Sequence, residues 1–261
     1  MPAPDIRQAI GFVAAADLPA ARPRLRGELR APLEQTAAAL QAGRQQAAVV
    51  GSELVTFMPG VDSPWRQDLV NSAMLAQLVA KKRVPDPTRM FDWYDAYFDT
   101  LMHIGWAVQD KSFATYQEES QNFAAHEAIL KVAGALLGPA TASLALVGTA
   151  LEALKSMDAA SPWITLFNRE SQSASTARFQ ISVAEQSESG ELSVALMAFG
   201  LEARTTLTQV LFFKTLASQA TLRHCAARVG VNGEVLRGVR ESLRAKLVSH
   251  ADDFVKTLPD F

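Results

Sequence analysis

Apolar residues recur every three or four positions through residues 62–157, the spacing of amphipathic helices. The first helix is predicted to begin at Asp62 or Ser63, with Pro64 in its opening turn. Lys81–Arg83 provides cations at its carboxyl end, where they suit the helix dipole. We interpret these cations as a solvated helix end in preference to a phosphate or lipid patch.

A second helix is predicted in the aromatic stretch 90–106, which Gly105 ends or bends. Asp92, Asp95 and Asp99 share one face and are expected to be its solvated side, although paired carboxylates can also serve acid–base chemistry. The aromatic residues are interpreted as core or as an oligomer contact. The predicted interface residues are Trp93, Tyr94, Tyr97 and Trp106.

The segment 129–154 is predicted to form a tight antiparallel helical hairpin, broken at Gly138-Pro139. No charged residue lies between Lys131 and Glu152, a length of about 20 residues that would suit a membrane span. Three alternatives are open: a hairpin buried in a soluble fold, a single transmembrane helix, and a hairpin that inserts on a trigger. The predicted membrane-interacting residues are Leu136, Leu137, Leu144, Leu146, Val147 and Leu151.

After residue 160, apolar residues occur at every second position, which predicts strands. The predicted strands are 163–167, 179–183, 192–196, 205–215 and 220–231. An earlier strand is predicted over 47–57, with a bulge or bend at Gly51, and is expected to join this sheet. Over 234–257, apolar residues again recur every three or four positions, which predicts a C-terminal helix.

Segregated helices and strands predict an α+β fold with a helical N-terminal part, a helical hairpin, an antiparallel β-sheet and a C-terminal helix. We expect a single domain over 33–261, preceded by a lead, 1–32, that is helical or poorly structured. The segment 118–137 is predicted to be one long helix, and 33–46 is compatible with another.

The apolar run 9–16 follows Arg7, as the apolar part of a secretory signal peptide follows a basic residue. It lies at the short limit for a signal peptide, and Asp5 precedes it where such signals are basic. We therefore expect a protein that is cytoplasmic in its producer or released without a clear signal peptide.

Composition narrows the function classes. The chain of 261 residues is 49% hydrophobic and 20% charged, with a formal net charge of −2. A disordered chain is excluded by this apolar content, and the lack of a basic excess argues against a nucleic-acid partner. One cysteine excludes an internal disulfide framework and a cysteine-rich zinc site.

Signatures of catalysis are scarce. The sequence has no G-x-S-x-G, Walker A, G-x-G-x-x-G or H-E-x-x-H motif, so we expect no enzyme, no metal and no cofactor. His126-Glu127 does not recur as the paired motif that a di-iron site needs. Adjacent strand residues face opposite ways, so His224 is not expected to activate Cys225, which we interpret as a buried thiol or a modified one.

Four blocks carry a resemblance: SELVTFMPGV at 52–61, NSAMLAQL at 71–78, WYDAY at 93–97 and IGW at 104–106. They resemble a family of uncharacterised bacterial and fungal proteins. The element order is also similar to that of the Erwinia virulence factor Evf, an α/β effector of insect gut colonisation that carries a fatty acyl group on a cysteine. That resemblance implies Cys225 as the acylation site, because the chain has no other cysteine.

These observations predict a non-enzymatic bacterial effector or toxin-like protein that acts at membranes through the apolar hairpin. The expected partners are a lipid membrane or a fatty acyl group and a second copy of the chain. The alternative is a soluble binding or self-assembling protein with no membrane role, and an enzyme of unrecognised class is a third reading.

Overall fold

The computed structural model describes residues 4–21, 40–41, 43–118, 120–207 and 209–259. The described part of the chain contains eight α-helices and a mixed sheet, which confirms the α+β class. The helices are α1 Ile6–Ala15, α2 Ser63–Arg83, α3 Met90–His103, α4 Ala125–Leu137, α5 Ala142–Ser156, α6 Pro162–Ser171, α7 Gly233–Leu247 and α8 Ala251–Phe254.

The strands build one large sheet and one small one. They are β1 Gln46–Val50, β2 Glu53–Phe57, β3 Trp106–Ala107, β4 Ala114–Thr115, β5 Asn122–Ala124, β6 Gln172–Ser173, β7 Thr176–Gln186, β8 Leu192–Ala203, β9 Lys214–Leu216, β10 Ala220–Val231 and β11 Val255–Thr257. The large sheet runs β11-β1-β2-β7-β8-β10-β3, with β4 on β10 and β6 on β7, and β5 pairs with β9. The pairing of β2 with β7 is parallel, so the sheet is mixed where an antiparallel one was predicted.

The sheet lies between two helical layers. Helices α1, α2, α3 and α7 contribute to the core on one face, and α4, α5 and α6 contribute to the core on the other. Because both faces are covered, all five residues of β1 and of β2 are buried.

Several predicted elements are confirmed. Helix α2 has Pro64 in its first turn and ends at Arg83, and α3 ends just before Gly105, which has a φ of +99°. The long strands β7, β8 and β10 contain the predicted alternating segments. The early strand joins their sheet through β2.

The strand predicted over 163–167 is wrong, because this segment is part of α6. Pro162 occupies the first helical turn, and Ile164, Phe167 and Ser171 are buried at helical spacing. The aromatic and β-branched residues of this segment favour a strand locally, which is why the sequence pattern predicted one.

Three other boundaries differ from the prediction. The segment 47–57 forms two strands, because Gly51 turns the chain with a φ of +56°. Of the described residues in 205–215, only Lys214 and Thr215 belong to a strand, β9, although Leu207, Val210, Leu211 and Phe213 fill the core. The chain after α7 does not continue as a helix to 257 but forms α8 and then the edge strand β11.

The predicted long helix over 118–137 begins only at Ala125, because Asn122–Ala124 pairs with β9. In the lead, α1 is helical and starts with a capping box between Asp5 and Gln8. The rest of the lead before residue 4 and after residue 21, and the segment 33–46 before residue 40, lie outside the described residues.

Candidate functional site

The predicted apolar hairpin is present as α4 and α5, and its turn is set by local chemistry. Gly138 ends α4 with a φ of +94°, and Ala140 follows with a φ of +58°. The Thr141 side chain then accepts a 3.2 Å hydrogen bond from the Leu144 N–H and caps α5. Two short helices therefore fold back on each other beside the sheet.

The hairpin lays one apolar face on the sheet. Leu137, Val147 and Leu151 are buried in the core that α4, α5 and α6 share with β7 and β8. Leu146 is buried as well. Leu136 and Leu144 are partly buried at the margin of that core. The solvent side is made of small or polar residues: Ala135, Ala142, Ala145 and Thr149. Four of the six predicted membrane-interacting residues are thus buried in this conformation.

The polar contact between the hairpin and the sheet is at the first turn of α5. The Ser143 hydroxyl donates a hydrogen bond to the Glu185 carboxylate of β7. The other oxygen of that carboxylate accepts a 3.0 Å hydrogen bond from Arg228 Nη1 of β10. Glu185 is partly exposed, so this contact lies at the margin of the layer and not in its core.

The opposite layer is tied to the sheet by buried polar groups. The Tyr97 hydroxyl of α3 donates a 2.8 Å hydrogen bond to Glu53 of β2. The Ser182 hydroxyl of β7 donates a 2.7 Å hydrogen bond to the other oxygen of the same carboxylate. Burial raises the pKa of Glu53 to about 6, against the opposing effect of these hydrogen bonds.

The same buried network extends along α2 and α3. The Gln77 amide of α2 donates a 2.8 Å hydrogen bond to Val50 O and accepts a 2.9 Å bond from the Ser52 N–H. The Tyr94 hydroxyl lies 2.7 Å from Phe199 O and 2.9 Å from Phe179 O. These contacts are expensive to break, because each would leave a buried polar group without a partner.

The aromatic residues that were predicted to form an interface lie in the core. Trp93, Tyr94 and Tyr97 are each at most 2% exposed, and Trp106 is 5% exposed. The Trp93 and Tyr97 rings stack with centroids 5.4 Å apart, and the Arg178 guanidinium lies 4.6 Å from the Trp93 ring. The chain itself covers these rings, so the core interpretation replaces the oligomer contact.

Cys225 is a buried thiol on the face of β10 that packs under α3. It is 6% exposed, and its sulfur lies 3.6 Å from Asp110 O. Burial, reinforced by the Asp110 charge, raises the pKa of the Cys225 thiol to about 11. His224 points to the other face of β10, as the strand period predicts, so it does not activate the thiol.

The described residues contain neither a candidate metal site nor a candidate membrane-spanning helix. Within them, no three His, Cys, Asp or Glu side chains converge as a metal site would require. No helix in the same part of the chain combines the length and the apolarity needed to cross a bilayer.

Sequence reasoning did not single out Glu53, Ser143 or Glu185. Glu53 had one signal, a carboxylate inside a β-branched run, but its partner Tyr97 is 44 residues away. Ser143 and Glu185 had no such signal in the sequence, because their contact joins the first turn of a helix to the end of a strand 42 residues later.

No family model and no curated protein matches the chain. A solved structure described as a delta-endotoxin is similar over 82% of this chain and 90% of its own, with 16% identity and a TM-score of 0.38. The structure of the Evf virulence factor is similar over 85% of this chain and 92% of its own, with 11% identity and a TM-score of 0.34. The expected likeness to Evf is therefore present as a weak structural resemblance, without a matching motif.

Proposed function

We propose that this chain is a non-enzymatic, toxin-like or effector protein that acts at lipid membranes by releasing the α4–α5 hairpin from the sheet. The observation that supports this proposal is the unequal attachment of the two helical layers. The α2–α3 layer is joined to the sheet through buried hydrogen bonds, whereas the hairpin rests on it through apolar side chains and the marginal Ser143–Glu185 contact.

Apolar attachment of this kind favours transfer to a bilayer. Exposing the four buried side chains Leu137, Leu146, Val147 and Leu151 to water would cost roughly 6–12 kcal/mol, so the hairpin stays docked in solution. Lipid replaces the sheet as an apolar environment and offsets most of that cost. Buried hydrogen bonds have no such replacement in hydrocarbon, so the α2–α3 layer would remain on the sheet.

The helix lengths favour partial insertion over a full span. Helix α4 has 13 residues and α5 has 15. At a rise of 1.5 Å per residue they are about 20 and 22 Å long, shorter than the hydrocarbon core of about 30 Å. The uncharged stretch between Lys131 and Glu152 would then lie in the boundary between headgroups and acyl chains.

The experiment is dye release from phosphatidylcholine–phosphatidylglycerol vesicles with a reversible tether. Ser143→Cys and Glu185→Cys are introduced in a Cys225→Ser background and joined by a short bis-thiosulfonate linker, which reduction removes. We expect the tethered protein to leave vesicles intact and the reduced protein to release dye. The single variant Ser143→Cys, capped with a methyl thiosulfonate, is the matched control and should release dye with or without reductant.

The vesicle assay is run at neutral and at acid pH. Absence of both binding and release at each pH would exclude membrane action and favour the alternative, a binding or self-assembling protein with no membrane role. Equal release by the tethered and the reduced protein would show that membrane action does not require the hairpin to leave the sheet.

A further inference from the structure

We propose that the free edge of β3 is a docking site at which an extended, uncharged peptide adds a strand to the large sheet. This site is separate from the hairpin and does not depend on membrane action. Strand β3 is the last in the order of the sheet and pairs with β10 on one side. Within the described residues, no strand pairs with its other side.

The register identifies the backbone groups that face this free side. Ala107 pairs with Gly230 and Trp106 with Val231, and the Asn232 N–H donates a 2.8 Å hydrogen bond to Gly105 O. In an antiparallel ladder, residues alternate between bonding the partner strand and pointing away from it.

Gly105 and Ala107 therefore bond toward β10. Trp106 and Val108 direct their N–H and C=O groups outward. Two residues separated by one position, each with a donor and an acceptor, are the elements that strand addition uses.

A cleft of about 820 Å³ lies along this edge. Its lining includes the consecutive segment 105–109, as expected for a groove that follows a strand. The other lining residues are Pro4 and Gln8 near the start of the chain, Met102 and His103 at the end of α3, and the α7 cap Asn232. The cleft is large enough for a short peptide, since ligand sites commonly measure about 300–1,000 Å³.

The shape and charge of the cleft select the occupant. Because the start of α1 and the end of α3 both line the cleft, an incoming strand must fit beside these helices, and a single extended chain needs less room there than the sheet edge of a second copy. Among the described residues that line the cleft there is no Asp, Glu, Lys or Arg, and His103 is the one side chain that can carry a charge. A charged peptide would lose solvation there and gain no fixed charge of opposite sign, which favours a neutral one.

The opposite edge of the sheet, strand β11, has features that discourage another strand from pairing with it. Strand β11 carries Lys256, and Thr257 O accepts a 2.8 Å hydrogen bond from the Trp163 indole of α6. Lysine on an edge strand and a covering helix both discourage strand addition. No lysine is found among the described residues that line the β3 cleft.

The test selects peptides from a random linear library on the full chain, with counter-selection on the Val108→Pro variant. Proline at 108 removes an outward N–H without removing a bond to β10. Val108→Ala, which keeps that N–H and shortens the side chain, is the matched control. We expect neutral sequences that bind the full chain and Val108→Ala, and that lose at least tenfold in affinity for Val108→Pro.

Two further measurements keep the proposal falsifiable if Val108→Pro does not fold. In the first, a selected peptide is N-methylated at every second residue, in two versions that differ by one position; one version should lose binding and the other should retain it. In the second, the peptide should slow hydrogen exchange at the Trp106 and Val108 amides. The proposal would be overturned if no peptide is enriched or if both methylated versions bind equally well. It would also be overturned if, without peptide, protection of these amides from exchange rises with protein concentration. The last result would identify a second copy as the occupant.

Discussion

The Tyr97 hydroxyl and the Glu53 carboxylate are joined by a 2.8 Å hydrogen bond inside the core, where both residues are at most 1% exposed. The bond fixes α3 to β2 and leaves a carboxylate between a helical layer and the sheet. Burial, and then the Glu53 charge, raise the pKa of Tyr97 well above its usual value, so the phenol stays protonated and remains the donor.

Replacing Glu53 with Gln should change how stability depends on pH. The pKa of Glu53 is about 6 in the fold, above its ordinary 4.5, so the folded state binds the proton more tightly. Its stabilising effect is full below pH 4.5 and is lost as the pH rises through 6. The linked loss is about 2 kcal/mol. Urea unfolding at pH 4.5 and pH 7 should show that loss in the natural chain and a smaller one in Glu53→Gln.

Asp95→Asn is the control, because Asp95 is exposed on α3, and it should keep the pH dependence of the natural chain. An unchanged slope in Glu53→Gln would contradict the prediction. Because protonation of Glu53 stabilises the folded state, this carboxyl would not open the α2–α3 layer in acid.

Replacing Glu185 with Gln should loosen the hairpin. The variant weakens the acceptor for Ser143 and removes the charge that pairs with Arg228. We expect faster hydrogen exchange in the first turn of α5 and, where the chain releases dye from vesicles, release that is several-fold faster. Ser143→Ala should have a similar effect. In the double variant, exchange and dye release should be no more than slightly faster than in either single variant, because the two substitutions break the same contact.

Glu191→Gln is the matched control, since it removes an exposed carboxylate in the turn between β7 and β8. If Glu191→Gln accelerates exchange in α5 as much as Glu185→Gln does, net charge and not the Ser143 contact governs the hairpin.

The sequence predicted those elements whose pattern is strong over many residues. Helix α2 has a proline at its start and three basic residues at its end, and β7 and β8 alternate over long segments. Local propensity failed at α6, where Ile164 and Phe167 suggested a strand while Pro162 and the helical spacing of buried positions decided for a helix.

The candidate site was predicted in part. The apolar hairpin was visible because its lack of charge is a property of contiguous residues. The attachment of each layer was not, because it depends on contacts such as Glu53–Tyr97 between distant parts of the chain. Alternation alone would assign one face of β2 to solvent, and only the second helical layer explains why Glu53 is buried.

The Cys225 thiol should react slowly in the folded chain. Raising its pKa from 9 to about 11 lowers the thiolate fraction at neutral pH by about 100-fold, and burial restricts access further. We expect thiol titration with an aromatic disulfide to be at least 100-fold slower in buffer than in urea, after allowance for the effect of urea on the reagent. Ser189→Cys in a Cys225→Ser background, with its thiol in an exposed turn, provides the comparison rate.

A fast reaction of native Cys225 would contradict its burial. The same measurement constrains the predicted fatty acylation, since an acyl chain on Cys225 requires the segment around Asp110 to move away from the sulfur. Intact-mass analysis of protein from its natural source should then show an added acyl mass that Cys225→Ser removes.

Helix α7 should depend on the ion pair between Arg240 and Asp68 of α2. Arg240 donates from Nε at 2.9 Å and from Nη2 at 2.6 Å to the two oxygens of Asp68, which is fully buried. Arg240→Met keeps the aliphatic packing but leaves a buried carboxylate without its cation, so we expect a loss of about 3 kcal/mol in the free energy of unfolding.

Asp68→Asn combined with Arg240→Met removes the uncompensated charge and should recover more than half of that loss. Arg237→Met is the matched control, because Arg237 is exposed on the same helix and its guanidinium lies 5.6 Å from the Trp65 ring, as that of Arg240 does at 5.8 Å. Equal losses for Arg240→Met and Arg237→Met in urea unfolding would show that the pair with Asp68 does not fix α7, whereas recovery in the double variant would trace the loss to the buried charge itself.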